Sequence, residues 1–322
     1  MENLLVEIKD LYVWFRVYGG YMKVLNGVNF TVKKGEKVSI VGETGCGKTT
    51  TMKTILRILS SQAYIPKGEV LFEGKDVLKM SENEIKRLRG RGAAMIFQDP
   101  MASLNPVFTI GDQLAAVISY SGIQDLDKEK IRQLSINALK EAKLADPERI
   151  LVSYPFQMSG GMRQRICIAM ALATERDLII ADEPTTNLDV TIQDQILALL
   201  RELVTKKGNS LILITHSLGI ARENADRIYV MYAGNMVEVS NNEELFSNPL
   251  HPYTKMLLDC VPKLTGGGVA EGIPGRIPDY LNPPPGCRFE PRCPYSSERC
   301  RVDKPEFVDV GNGHKVACFK YY

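Results

Sequence analysis

The stretch "GETGCGKT", residues 42–49, has residue types and spacing that could bind phosphate. It fits the template of a glycine, four residues and then Gly-Lys-Ser/Thr, with an apolar strand pattern before it and a helix pattern after it. Glycines let the loop amides point inward, and the next helix contributes its positive N-terminal end. The positive charge of Lys48 can bind the β and γ phosphates, and the Thr49 hydroxyl can ligate Mg²⁺. The loop predicts nucleotide binding by Gly42, Glu43, Thr44, Gly45, Cys46, Gly47, Lys48, Thr49 and Thr50, with Cys46 contributing its backbone.

Two adjacent acids raise a second question about chemistry. Asp182 and Glu183 follow the apolar run of "DLIIADEPTTNLD", where a strand that leaves a buried sheet would end. An unpaired charge is costly in a buried position, so these carboxylates need solvent or a partner. The sequence of this stretch alone leaves both a solvated strand end and a site open.

A second loop suited to anions lies more than a hundred residues after the first. "MSGGMRQR" places Ser159, Gly160, Gly161 and Met162 immediately before a helix pattern, and the amides of such a helix start favour phosphate. One chain therefore carries one lysine-bearing phosphate loop and a second anion cradle.

These two loops occur together with "IFQDP", "DLIIADEPTTNLD" and "LILITHS", and in this order and spacing the sequence resembles the ATPase subunits of ATP-binding cassette (ABC) transporters. The resemblance covers about residues 4–240. It implies that two cassettes meet head to tail, so that the signature loop of one subunit, here residues 159–162, caps the ATP held by the phosphate loop of another.

The resemblance also implies roles for individual residues in ATP hydrolysis, in which water attacks the γ phosphate in line. Asp182 would hold Mg²⁺ together with Thr49 and Gln98, and Gln98 would also sense the membrane partner. Glu183 would polarise the attacking water, and His216 would contact the γ phosphate. For His216, which follows a buried strand pattern, the alternative is a core histidine.

Other implied roles concern the surroundings of the nucleotide. Asp189 would lie at the dimer seam. Phe15 is expected to stack on adenine, with Tyr18 and Tyr21 as alternatives. The competing interpretation is that these residues are core or hairpin aromatics. The signature has methionine at positions 158 and 162 where the family commonly has leucine and glutamine, and "TTNLD" replaces a commoner small-residue form.

The fold expected from these patterns is α/β, a P-loop NTPase core of the ABC type with a mixed sheet. Alternating apolar and polar residues in "LLVEIKDLYVWF" and "VLNGVNFTV" predict an antiparallel β-subdomain, whereas "KVSIVG", "DLIIAD" and "SLILITH" predict buried parallel strands. Helices are expected over "KTTTMKTILRILS", "IRQLSINALKEAKL" and "TIQDQILALLRELVTKK". The domains would be a nucleotide-binding domain over residues 1–240, with a helical subdomain over about 105–158, and a C-terminal extension over 241–322.

Details outside the shared core narrow the family. "FQDPMASLNP", "YPFQMSGGMRQR", "NPLHPYTKMLLDCVP" and "PPGCRFEPRCP" resemble the ATPase subunits of dipeptide and oligopeptide importers, a group that includes nickel importers. The resemblance implies two membrane permease subunits, a second ATPase subunit, identical or related, and an extracytoplasmic peptide-binding protein. It places the chain at the cytoplasmic face of a bacterial or archaeal membrane.

The last part of the chain changes in composition. "GGGVAEGIPGRIPDYLNPPPG" predicts an extended arm, and Cys287, Cys293, Cys300 and Cys318 follow it. Zinc sites usually contain cysteine pairs two to four residues apart, so these wider gaps favour a [4Fe-4S] cluster over Zn²⁺, which is the alternative. A third interpretation is that the four cysteines are incidental free thiols that bind no metal. The cluster would fasten the arm.

Bulk composition excludes several other classes. The chain has 322 residues, 44% of them hydrophobic, and a formal net charge of +2, which is too mild to indicate nucleic-acid binding. No apolar run is long enough to span a bilayer, and the N-terminus lacks a secretory signal pattern.

Two alternatives to a transporter subunit stay open. One is a soluble ABC ATPase of DNA repair or translation, and the other is a redox-responsive regulator whose metal tail controls the ATPase.

Overall fold

The computed structural model describes residues 3–186, 188–260 and 272–322. The chain forms two compact units. Unit 1 comprises residues 1–33, 37–79 and 213–322, and unit 2 comprises residues 34–36 and 80–212. The mixture of α/β sheets and helical parts agrees with the predicted fold class, whereas the sequence-based division at residue 240 stays a prediction.

An antiparallel sheet opens unit 1, as the alternating pattern predicted. Its central strand is the first, which pairs antiparallel with the second from Leu4 opposite Lys33 to Val17 opposite Gly20. Apolar side chains such as Val6 and Val28 are buried, whereas Glu7 and Lys9 of the first strand are more exposed. The strands are β1 Leu4–Val17, β2 Gly20–Lys33, β4 Ala63–Tyr64, β5 Glu69–Phe72 and β6 Lys75–Asp76, in the order β2-β1-β5-β6 with β4 beside β1.

The second group of strands in unit 1 carries the phosphate loop. Strand β3, Lys37–Val41, runs parallel to β10, Arg227–Tyr232, and β10 pairs antiparallel with β11, Asn235–Asn241. Two short strands from the end of the chain continue this arrangement: β13, Lys315–Val316, pairs with β11, and β12, Val308–Asp309, pairs with β13. The residues of β3 after Lys37 are all buried, as expected for a strand covered on both faces.

The helix after the phosphate loop is shorter than predicted. It spans Lys48–Ile55, whereas the apolar spacing had suggested that it continues to about residue 60. Arg57 adopts the left-handed conformation, with φ 50°, and the amide of Ile58 donates to the carbonyl of Lys53. This 6→1 hydrogen bond ends the helix in a Schellman arrangement, which apolar periodicity does not reveal. The α-helices of unit 1 are α1 Lys48–Ile55, α9 Leu218–Asn224, α10 Asn242–Ser247, α11 Pro252–Asp259 and α12 Glu298–Val302.

Unit 2 contains a pair of parallel strands and most of the helices. Strand β7, Ala93–Ile96, pairs in register with β8, Leu178–Asp182, every residue of which is buried. Helices lie between them in the chain, where the capping box of Thr109 and Asp112 starts one helix and Asp127 starts the next; a separate helical subdomain over about residues 105–158 stays a prediction. The helices are α2 Glu82–Arg87, α3 Pro100–Ser103, α4 Ile110–Ser119, α5 Lys128–Glu141, α6 Pro147–Leu151, α7 Gly160–Leu172 and α8 Val190–Lys207. Strand β9, Ser210–Thr215, has residues in both units.

The C-terminal segment, residues 272–322, consists of an irregular stretch followed by a part that packs on the core. Residues 272–286 contain no helix or strand, as predicted, but Phe289 is buried with its ring 5.0 Å from that of Tyr232 and 5.4 Å from that of Tyr253. The irregular stretch is thus confirmed for residues 272–286, and the aromatic residue that packs on the core follows it, at a position where sequence patterns predicted no packing. The part of that stretch before residue 272 lies outside the described residues.

Candidate functional site

The phosphate loop joins β3 to α1 within unit 1, in the strand-loop-helix context that the template requires. Gly42 has φ 155°, and a Cβ there would lie 2.1 Å from the carbonyl oxygen of Met231. Gly47 has φ 108°, and a Cβ there would lie 2.7 Å from Leu25. Glycine is needed at both positions because the backbone is left-handed and closely packed.

Lys48, the first residue of α1, lies over this loop. Its side chain is buried, and Nζ donates to the carbonyl of Gly42 at 2.7 Å and to that of Glu43 at 3.0 Å. The ammonium group is therefore held at the loop, where an anion would meet it. Cys46 is fully buried, and burial raises the pKa of its thiol to about 11, so this side chain stays protonated at neutral pH.

Several contacts of the phosphate loop come from late in the chain and were missed by sequence reasoning. The carboxylate of Glu43 accepts from Arg292 Nη1 at 3.0 and 3.1 Å, and the Glu43 amide donates to the Tyr253 hydroxyl at 2.9 Å. The Tyr280 hydroxyl donates to the carbonyl of Gly45 at 2.8 Å. Burial acts to lower the pKa of Arg292, but hydrogen bonds to Tyr232 and Glu43 outweigh it and raise that pKa. No local pattern links residues so far apart.

The remaining predicted nucleotide contacts of unit 1 occupy surface positions. His216 follows β9 and is exposed, which excludes the core-histidine alternative. Phe15 is half-buried in β1 and pairs with Met22, whereas Tyr18 is fully exposed. Tyr21 belongs to an aromatic cluster with Trp14 and Tyr64, with ring centroids about 6 Å apart, and the sequence had not indicated that cluster.

Unit 2 brings Gln98 and Glu183 together, because each follows one of the two paired strands, β7 and β8. Gln98 Nε2 donates to Glu183 Oε2 at 3.4 Å, and the Thr186 hydroxyl donates to the same oxygen at 3.1 Å. Glu183 has φ 44°, an uncommon conformation for a residue with a side chain and one that is frequent at functional sites. Asp182, the last residue of β8, is buried. The two acids are thus held by the fold at a strand end, and neither is a freely solvated tail.

The signature loop lies at the start of α7, as predicted. Ser159 is the N-cap, and its hydroxyl accepts from the Met162 amide at 3.3 Å. A Cβ at Gly161 would lie 3.2 Å from Ile192 of α8, so glycine permits close packing of the two helices. Asp189 occupies the N-cap position of α8 and is exposed, which leaves its side chain accessible at the surface of this unit.

The four C-terminal cysteines converge in unit 1 without forming a metal site. Burial raises the pKa of the Cys287 thiol to about 12; a hydrogen bond with the Phe289 backbone opposes this, and the neighbouring thiols of Cys300, Cys293 and Cys318 add smaller increases. Nowhere in residues 3–186, 188–260 and 272–322 do three or more His, Cys, Asp or Glu side chains have an arrangement that could hold a metal ion. The predicted [4Fe-4S] cluster and its zinc alternative are therefore not supported, because the gaps between cysteines do not by themselves orient the thiols.

Two family models match the chain. Residues 25–186 match the ABC transporter family, and residues 237–300 match the C-terminal region of oligopeptide/dipeptide transporters. The chain belongs to the family of ABC transporter ATP-binding proteins. It is 44% identical over 321 residues to the dipeptide transport ATP-binding protein DppD of Bacillus subtilis, covering 99% of this chain and 95% of that protein. It is also 44% identical over 315 residues to the oligopeptide transport ATP-binding protein OppD of the same organism, covering 97% and 87%.

Solved structures of ABC cassettes have the same fold as this ABC ATPase chain. The dimeric cassette MJ0796 in a post-hydrolysis state, bound to ADP and phosphate, aligns with a TM-score of 0.66 at 27% identity, covering 74% of this chain and 98% of the other. Among the described residues, no helix is long and apolar enough to cross a membrane.

Proposed function

We propose that this ABC protein binds and hydrolyses ATP to energise the import of dipeptides or oligopeptides. The observation that carries the proposal is the presence, in one chain, of an ABC match over residues 25–186 and a peptide-transporter C-terminal match over residues 237–300. Relatives of nearly the same length are named as dipeptide and oligopeptide transport ATP-binding proteins, which favours this function over a soluble ATPase of DNA repair or translation.

In this proposal the phosphate loop binds the β and γ phosphates of ATP. The loop amides supply hydrogen bonds, and the N-terminus of α1 supplies a positive dipole end. Lys48 Nζ would replace its hydrogen bonds to the carbonyls of Gly42 and Glu43 with bonds to phosphate oxygens. One of the aromatic residues near the end of β1, with Phe15 first and Tyr18 and Tyr21 as alternatives, would stack on adenine.

The remaining proposed roles concern the cleavage itself. Thr49, Asp182 and Gln98 would hold Mg²⁺, which neutralises phosphate charge when bound. Glu183 would orient and polarise water, with its carboxylate positioned by Gln98 and Thr186. His216 would donate to the γ phosphate. The signature loop and Asp189 of a second ATPase subunit would cover the nucleotide from the other side.

The partners that follow from this function are a second ATPase subunit, two integral membrane permeases and, indirectly, an extracytoplasmic peptide-binding protein. The chain would act at the cytoplasmic face of the membrane as a peripheral subunit.

The experiment has two parts. Purified chain is titrated with Mg·ATP by calorimetry, and Lys48→Ala is expected to abolish binding because the ammonium group at the loop is removed. Lys53→Ala, in the last turn of the same helix, is the matched control and should bind normally. The assembled transporter is then assayed with peptides and with nickel. ATP-dependent uptake of nickel without peptide uptake would contradict the proposed substrate class.

We further propose, separately from the ATPase mechanism, that the four C-terminal thiols accept an iron-sulfur cluster. What supports it is the hydrogen bond from the Cys287 amide to the Cys300 carbonyl at 2.8 Å, which keeps the backbones of two of the four cysteines adjacent, although the thiols would have to reorient to bind iron. Anaerobically purified protein should then show the visible absorbance of a cluster with matching iron and sulfide. Colourless protein with free thiols would contradict it, and stoichiometric zinc would favour the alternative.

A further inference from the structure

The C-terminal segment contacts the phosphate loop through one partly buried ion pair and one hydroxyl group. Arg292 Nη1 lies 3.0 Å from Glu43 Oε1, and the Arg292 side chain is only 4% exposed. The Tyr280 hydroxyl donates to the Gly45 carbonyl at 2.8 Å, and the Tyr280 carbonyl accepts from the Lys23 amide. Two different loop residues are therefore held by one distant part of the chain.

The Arg292 side chain is also held by hydrogen bonds to residues other than Glu43. Its Nε donates to the Pro274 carbonyl at 2.8 Å, and Nη2 donates to the Ile273 carbonyl at 3.0 Å. Nη1 also approaches the Tyr232 hydroxyl at 3.3 Å. A guanidinium held at all three nitrogens presents its charge to Glu43 in one geometry, unlike a surface pair whose long side chains must be ordered.

Glu43 in turn links this arginine to the residue expected to bind phosphate. Its carbonyl accepts from Lys48 Nζ, and its amide is occupied by the Tyr253 hydroxyl. An acidic side chain in a phosphate loop would repel the several negative charges of ATP unless it were neutralised. Arg292 provides that neutralisation and fixes the Glu43 side chain, while Tyr253 and Lys48 hold the Glu43 backbone.

We propose that Arg292 is a positioning residue for nucleotide binding, which neutralises Glu43 and, together with Tyr280, holds the phosphate loop in its binding conformation. The C-terminal segment is then a working part of the nucleotide site. This inference rests on the proposed function, because it assumes that the loop binds ATP.

The test measures the affinity of the full-length chain for Mg·ATP by calorimetry. Arg292→Gln leaves Glu43 unneutralised beside the phosphates, and we expect affinity to fall by about tenfold or more, the size of a lost hydrogen bond to a charged group. Arg299→Gln is the matched control, since Arg299 lies in the same segment and contacts Asp303 and Phe319 rather than the loop. Its affinity should equal that of the unmodified chain.

A double variant separates positioning from general structural damage. Removing the unpaired carboxylate as well, in Glu43→Gln/Arg292→Gln, should restore part of the affinity that Arg292→Gln loses, because the repulsion is gone. Damage to folding would instead accumulate in the double variant. Tyr280→Phe, which deletes a single hydroxyl, should weaken binding without unfolding the chain, as monitored by circular dichroism, and it carries the test if Arg292→Gln does not fold.

The outcomes distinguish this inference from the proposed function. If the unmodified chain does not bind Mg·ATP, the proposed function fails and the inference fails with it. If the unmodified chain binds ATP and Lys48→Ala does not, the function stands. In that case the inference is overturned if Arg292→Gln, correctly folded, loses no more affinity than Arg299→Gln, or if the double variant binds more weakly than Arg292→Gln.

Discussion

At the scale of single residues, Glu183 combines an unusual backbone conformation with a carboxylate oxygen that accepts two hydrogen bonds. Its φ is 44°, and Gln98 and Thr186 both donate to Oε2. We expect the Glu183 carboxylate held in this way to act on water. A general base must be fixed as well as charged, and these contacts provide the fixation.

The first prediction follows for Glu183→Gln. Because the amide keeps the shape but cannot take a proton, Mg·ATP binding should persist while the rate of hydrolysis falls by about two to three orders of magnitude. Phosphate release from the assembled transporter measures this rate. Glu175→Gln, an exposed position in the same unit, is the matched control and should turn over normally. Near-normal hydrolysis by Glu183→Gln would remove Glu183 from the proposed role.

At the scale of secondary-structure elements, α7 shows how one hydroxyl serves both folding and the proposed function. Ser159 accepts from the Met162 amide and so starts the helix, while the same loop is expected to face the nucleotide of another subunit. A stability effect and a functional effect of one substitution therefore need to be separated.

Two substitutions at this position should behave differently. Ser159→Ala removes the cap and should lower the free energy of unfolding by about 1 kcal/mol. Ser159→Asp can cap the helix and should retain stability, yet its charge would repel a γ phosphate. Both should abolish ATP-dependent pairing of Glu183→Gln chains, measured by light scattering, whereas urea unfolding should distinguish them. Pairing by Ser159→Asp would argue against the signature role.

Local patterns predicted these elements well, because strands and amphipathic helices are set by near neighbours. The β1–β2 pairing, the buried strands β3 and β8 and the helix after Asp189 all follow from residue periodicity. Periodicity could not place the end of α1, which depends on the left-handed Arg57. It also could not reveal that the C-terminal segment is packed, since that depends on contacts such as Arg292 with Glu43.

The candidate site was predictable only where its residues form local sequence patterns. The residue types of the phosphate loop and the two acids are local signals, and the fold holds each at a strand end. The partners of those residues are not local: Thr186 on Glu183, and Tyr253, Tyr280 and Arg292 on the phosphate loop. A sequence without these distances gives no reason to choose them.

At the scale of the whole molecule, one buried polar group joins three parts of unit 1. The Glu238 carboxylate of β11 accepts from the amides of Leu250 and His251 at 2.8 and 2.9 Å, and lies 2.8 Å from His314 Nε2. His251 is also buried, and its Nδ1 accepts from the Tyr253 amide. Charging any member of such a group alters the stability of the fold.

This arrangement predicts acid sensitivity. Burial lowers the pKa of His251 to about 4 from 6.5, so between these values the unfolded chain binds a proton that the folded chain does not. Stability should therefore fall on acidification from pH 6.5 towards 4, by about 3 kcal/mol in all. Burial alone would raise the pKa of Glu238, but hydrogen bonds from His314 and other donors lower it, so its contribution is lost only below pH 4.5.

Thermal unfolding measured from pH 7 to 4 checks the prediction. His251→Asn keeps a side-chain acceptor for the Tyr253 amide but cannot be protonated in this range, so its unfolding temperature should depend less steeply on pH. The slope is the relevant quantity, because the smaller side chain lowers stability at every pH. Equal slopes for the two proteins would contradict the assignment.

The pairing of Arg292 with Glu43 also has a consequence for protein synthesis. The two residues are 249 positions apart, so the ribosome polymerises the phosphate loop long before it adds the arginine that neutralises it. Translation proceeds from the N-terminus at a limited rate, and early parts of a chain can fold first. A nascent chain that has not reached Arg292 lacks the partner of Glu43, and we expect it to bind ATP more weakly than the chain that contains Arg292, as expected for Arg292→Gln.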